Sequence, residues 1–125
     1  AEIAYENIIT SFAKGDLKNL KTLLTLDMTS NFEQAIVQRK KDNLKSELTF
    51  IGIKESRVEK FEKIKNDLFA TVKFVSEIIS VKKDSNEKIV EGNPDKIKTV
   101  TDMWKFTKSD FSKNPTWYLS EIISK

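Results

Sequence analysis

The chain has 125 residues, with 22 Lys+Arg against 19 Asp+Glu, a net charge of +3, and neither cysteine nor histidine. Those two absences exclude disulfides, thiol nucleophiles, Cys- or His-ligated metals and any catalytic triad built on histidine. Acid–base chemistry is left to Asp, Glu, Lys or Tyr, and a charge of +3 permits an acidic partner without demanding one.

The length fits one domain, residues 1–125. Eight Phe and two Trp supply large core side chains and argue against disorder. No apolar run reaches the roughly 18 residues that a membrane-spanning helix needs. There is no signal-peptide pattern. The sequence opens at Ala1 already in a helical pattern, as expected of a cut or processed chain.

Tyr5, Ile8, Ile9, Phe12 and Ala13 recur at one-face helical spacing. Gly15 is the expected left-handed C-terminal cap, and Asp16 the N-cap of a second, short helix with a stripe of Leu17, Leu20, Leu23 and Leu24. Ser30-Asn31-Phe32-Glu33 reads as a capping box opening a third helix. That helix carries Phe32, Ala35 and Ile36 inward and ends in Arg39-Lys40-Lys41, which suits the negative end of the helix dipole.

After Asn43 the period becomes alternating. Leu48 to Ile53 is β-rich, and Gly52 inside it predicts a bulge or bend. The charged stretch Lys54 to Ile64 extends the strand, with Val58, Phe61 and Ile64 as inward anchors. Lys65-Asn66-Asp67 forms a turn. Leu68 to Val81 is the longest strand, with Phe74 on one face and Val75, Ile79 and Val81 on the other. Lys82 to Glu87 is a polar hairpin segment, and Gly92-Asn93-Pro94-Asp95 a second break. Val100, Asp102, Trp104 and Phe106 alternate along a further strand. Ser112 to Pro115 turns the chain into a last strand, Thr116 to Ile123. Helices followed by consecutive strands predict an α+β domain: N-terminal helices packed on a strongly curved antiparallel sheet.

Several blocks resemble one family. They include Phe12-Ala13-Lys14-Gly15-Asp16, the strand Thr71 to Glu77, the turn Val90 to Pro94, and above all Val100-Thr101-Asp102-Met103-Trp104-Lys105-Phe106 and Asn114-Pro115-Thr116-Trp117-Tyr118-Leu119. The chain resembles the Tim-forty-four-like domain, the C-terminal domain of the mitochondrial import translocase's matrix-side tether and its bacterial relatives. The resemblance implies a nuclear transport factor two-like cone. It also implies a non-enzymatic, membrane-associated module of protein translocation or inner-membrane protein biogenesis, with no cofactor. Its partners would be anionic lipid and membrane or translocation-associated proteins; nucleic acid is not expected, because the sequence has no recognised motif and no basic stripe interleaved with exposed aromatics. The Lys-, Ile- and Asn-rich composition looks bacterial, and for a bacterial member the resemblance implies a location at the cytoplasmic face of the inner membrane. There it would be peripheral or anchored through a missing N-terminal segment, this chain being a C-terminal piece of a longer protein. The turn departs from the family pattern, with Asn93 where an acidic residue is usual.

Three candidate sites follow. Arg39, Lys40 and Lys41 could meet anionic headgroups; the bland reading is a solvated helix end. Tyr5, Phe12, Phe74, Asp102, Trp104, Phe106 and Trp117 are candidate pocket-lining residues, against the default of core packing. A buried Asp102 would have its pKa raised and could serve as a base in a small-molecule or isomerase-type cone, as an Asp does in ketosteroid isomerase. The alternative for Asp102 is a structural carboxylate. Val75, Ile79 and Val81 form a candidate protein-docking face.

Overall fold

The computed structural model describes residues 2–109 and 116–124. Three helices come first: α1 (Glu2–Lys14), α2 (Leu17–Leu20) and α3 (Leu26–Lys41). Among the described residues five strands follow: β1 (Lys45–Ile64), β2 (Asp67–Lys83), β3 (Ile89–Gly92), β4 (Lys98–Ser109) and β5 (Tyr118–Ser124). The strands make one antiparallel, open sheet in the order β1-β2-β4-β5, with β3 also on β2. The α+β prediction holds, with the helices packed on the sheet. The turn expected at Ser112 to Pro115 lies outside the described residues.

The junctions follow local chemistry. Gly15 adopts a φ of 74°, which ends α1. The Asp16 side chain accepts from the Asn19 amide and starts α2. α2 stops at Leu20, so Leu23 and Leu24 do not extend its stripe. Instead Leu24 bridges β5: the Thr25 amide donates to the Leu119 carbonyl and the Leu119 amide to the Leu23 carbonyl. α3 starts earlier than the Ser30 capping box predicts. Its N-cap is Thr25, whose hydroxyl accepts from the Met28 amide. The earlier start brings Met28 onto the buried face with Ile36, while Ala35, expected inward, is exposed.

β1 and β2 form a long, bent hairpin. β1 shows register shifts at Phe50/Gly52, Ile53/Glu55 and Val58/Lys60. The first is the bulge expected at Gly52, and each adds local twist. β3 was not predicted as a strand. It has only four residues, all exposed, so it carries no alternating pattern. It pairs with β2 at Val81–Lys83, while β4 pairs with β2 only as far as Ile78. The two therefore run along the same edge of β2 with a break between them. Gly92, at φ 88°, makes this possible, because a Cβ there would lie 2.1 Å from the Ser80 carbonyl oxygen.

The core sits between α1 and the sheet. Tyr5 and Ile8 from α1 meet Val72 and Phe74 from β2, and Trp104 and Phe106 from β4. Alternation on β2 and β4 sends these strand residues to the helix side, as their period predicts.

Candidate functional site

Tyr5 occupies the centre of the cone. Its ring stacks on Phe74 at 4.2 Å and tilts against Trp104 at 4.6 Å. Its hydroxyl donates to Asp102 Oδ2 at 2.5 Å and lies 2.9 Å from Ser76 Oγ. Tyr5 is fully buried and Asp102 is 6% exposed. Burial, followed by the hydrogen bond to Asp102, pushes the Tyr5 phenol well above its ordinary pKa. Among the described residues no buried side-chain polar atom lacks a partner. The triad of Tyr5, Asp102 and Ser76 is thus a satisfied structural network, not a set of groups aimed at an open cavity. The isomerase-type expectation needs an apolar pocket over Asp102, and the ring of Tyr5 fills that place.

The open cavity lies elsewhere. It is an apolar groove of about 560 Å³ beside the first turns of α1. Its floor is the inner face of the distal β1–β2 hairpin. Val58 pairs with Val72, and Phe61 with Ala70; across β2, Ala70 pairs with Phe106. Cross-strand partners share a face, so these residues form two successive apolar rows. Ile3, Ala4 and Asn7 form one wall, and Leu23, Thr116 and Trp117 the other. The rim is exposed: Ile3 is 79%, Val58 60% and Phe61 61% accessible. Only Asn7 and Thr116 are polar in this lining.

Of the seven residues predicted to line a pocket, Phe106 and Trp117 border the groove. Tyr5, Phe74, Asp102 and Trp104 belong to the core network instead, and Phe12 packs against Phe32 at 5.1 Å. Of the three inward anchors expected in the charged strand, Val58 and Phe61 border the groove, but all three, Ile64 included, are exposed rather than buried. Ile3, Ala4 and Asn7 had no signal in the sequence, because which helix turn faces the hairpin is decided by packing.

The basic cluster divides. Arg39 is half-buried; its Nη2 donates to the Phe12 carbonyl at 2.9 Å and its guanidinium lies 5.3 Å from the Phe12 ring. Burial lowers its pKa somewhat. Arg39 ties α3 to the end of α1. Lys40 and Lys41 are exposed. On the outer sheet face Val75 and Ile79 are half-buried, and Val81 is buried beside β3, with which it pairs at Gly92. The described residues contain no group of three or more His, Cys, Asp or Glu placed to hold a metal, and no helix long and apolar enough to cross a membrane.

Comparisons with known proteins agree with this architecture. The family model described as "Tim44-like domain" matches residues 1–124. Among solved structures, the crystal structure of the intermembrane space region of the chloroplast protein ARC6 is similar with a TM-score of 0.57. That similarity covers 100% of this chain and 98% of that one at 13% identity, a level that shows the fold alone. No curated protein matches the chain. With helices on an open, curved antiparallel sheet of the nuclear transport factor two-like type, and a family match over nearly its whole length, the chain belongs to the Tim44-like domain family of translocation-associated modules.

Proposed function

We propose that this domain is a non-enzymatic binding module at the cytoplasmic face of a bacterial inner membrane, acting in protein translocation or inner-membrane protein biogenesis. Its binding site is the groove beside α1, and its occupant is the apolar stripe of an amphipathic helix from a membrane or translocation-associated protein. The observation that carries this reading is the exposed pair Val58 and Phe61 flanking an apolar cavity of about 560 Å³. Aliphatic and aromatic side chains left open to water in one concave patch mark a site that something else covers.

The chemistry of the lining favours a helix. A helix satisfies its own backbone hydrogen bonds, so it needs none from a groove floored by side chains. An extended peptide would leave its amides and carbonyls facing Val58, Phe61 and Ala70, at a cost of about 1–3 kcal/mol for each group left unpaired. Site-specific photocrosslinking from position 61 in intact membranes tests the reading. It is supported by an adduct that maps to an amphipathic segment of a partner protein. It is refuted if position 61 gives no more adduct than an exposed position on α2.

A further inference from the structure

The groove beside α1 meets opposite charges at its two ends. Ile3 borders it and also borders a second hollow, formed with Glu2, Glu6 and the stretch Phe50 to Ile53 of β1. The two hollows therefore meet at Ile3. The second is lined by two carboxylates and no basic side chain. Glu2 and Glu6 are four residues apart on α1, so they stand one turn apart on one face. At the other end the sheet register continues past the groove floor. After the row of Phe61, Ala70 and Phe106 comes the row of Lys63, Leu68 and Lys108. Cross-strand partners share a face, so both lysines belong to the inner face, just beyond Phe61.

Exposed apolar side chains connect the two ends. Ile51 stands beside the glutamates, followed by Ile3, Val58 and Phe61. The end charges are available to a partner. Glu2, Glu6 and Lys108 make no ion pair among the described residues. Other charges on this part of β1 are paired with one another: Arg57 with Glu55 and Glu59, and Lys60 with Glu62. Lys54, at the register shift after Ile53, borders neither hollow.

We propose that the groove is polarised and fixes the direction of its occupant. The partner helix lies along β1 with its N-terminal turns, carrying Lys or Arg, over Glu2 and Glu6. Its C-terminal turns, carrying Asp or Glu, meet Lys108. The proposal rests on the helix-in-groove reading above and adds the helix's charge pattern and orientation. The helix dipole acts in the same sense. Unpaired amides make the partner's N-terminal end positive, and unpaired carbonyls make its C-terminal end negative. The reverse orientation sets like charges together at both ends. The span also fits. Ser76 and Leu68, which pair with Ile53 and Lys63, are separated by about 27 Å of strand, the length of a helix of about 18 residues. Exposed ion pairs contribute little energy each, so the apolar floor supplies most of the affinity and the end charges select direction and partner.

Two synthetic amphipathic peptides of about 18 residues test the polarity. Both carry the same apolar stripe. One has lysines in its first two turns and glutamates in its last two; the other has the reverse. Fluorescence anisotropy measures their binding to the purified chain. The wild type is expected to bind the lysine-first peptide about tenfold more tightly, with a preference that shrinks as salt rises. The variant E2K/E6K/K108E is expected to abolish or reverse that preference, and V58D to weaken both peptides. Equal affinities for the two peptides, a preference for the glutamate-first one, or a preference that E2K/E6K/K108E leaves unchanged would overturn the polarity while leaving the groove reading standing. Binding of neither peptide, or binding that V58D does not weaken, would overturn the groove reading and the polarity with it. Circular dichroism of each variant confirms that it is folded.

Discussion

Tyr5 on the first helix donates a 2.5 Å hydrogen bond to Asp102 on β4, across 97 residues of sequence. The bond closes α1 over the sheet. Removing the hydroxyl in Tyr5→Phe takes one donor from a buried carboxylate, and hydrogen bonds to charged groups are worth about 1.5–3 kcal/mol. Tyr5→Phe should therefore destabilise the domain by about 2 kcal/mol in urea unfolding. Combining it with Asp102→Asn should cost less than the sum of the two single changes, because both act on one contact.

The same phenol gives a pH signature. Its pKa in the folded state is raised above the ordinary value of about 10. The unfolded chain therefore loses this proton first. Tyr5 leaves stability unchanged below about pH 10, and above it lowers stability by about 1.4 kcal/mol per pH unit until the folded phenol also ionises. Lysines titrate in the same range, so the test is a comparison. The alkaline decline measured for the wild type should be shallower in Tyr5→Phe; parallel curves would contradict the assignment.

Two glycines should respond to alanine with very different costs. Gly92 has a φ of 88°, and a Cβ there would meet the Ser80 carbonyl oxygen at 2.1 Å. Gly92→Ala should cost on the order of 3 kcal/mol and separate β3 from β2. At Gly52 a Cβ would meet nothing within 4 Å. Gly52→Ala should change stability by less than about 1 kcal/mol. Thermal melts of the two variants measured side by side check this.

Arg39 and its neighbours should separate into structure and surface. Arg39→Ala loses the bond to the Phe12 carbonyl and the contact with the Phe12 ring, and should cost about 1–2 kcal/mol of stability. Lys40→Glu with Lys41→Glu should leave the melting temperature within a few degrees and instead weaken vesicle flotation. A double variant that unfolds readily, or an Arg39→Ala chain as stable as wild type, would reverse the division.

What the sequence made legible was periodic. Alternation placed Phe74, Asp102, Trp104 and Phe106 on the inner face of the sheet, and Gly15, Asp16 and Gly52 marked a helix end, a helix start and a bulge. The end of α2 misled because Leu23 and Leu24 continue a helical spacing past Leu20. Their backbone groups instead pair with Leu119 on a strand that arrives about a hundred residues later. β3 left no trace, since it is short and wholly exposed. The site was the least legible part. Of the aromatic residues that suggested a pocket, Phe74 and Trp104 pack on Tyr5 in the core, while the open groove, bordered by Phe106 and Trp117, formed where α1 leaves Val58 and Phe61 uncovered. Which residues are left uncovered is a property of packing, and no local pattern carries it.

The central claim is that the groove at Val58 and Phe61 receives the apolar face of a partner helix. The most direct measurement places a photoreactive residue at position 61 of the full-length protein in intact membranes and maps the adducts by mass spectrometry, with and without Val58→Asp. The account predicts one dominant adduct within an amphipathic helical segment of a membrane or translocation-associated protein, lost when Val58 becomes Asp. Adducts to lipid alone, or a yield that Val58→Asp does not change, would contradict it.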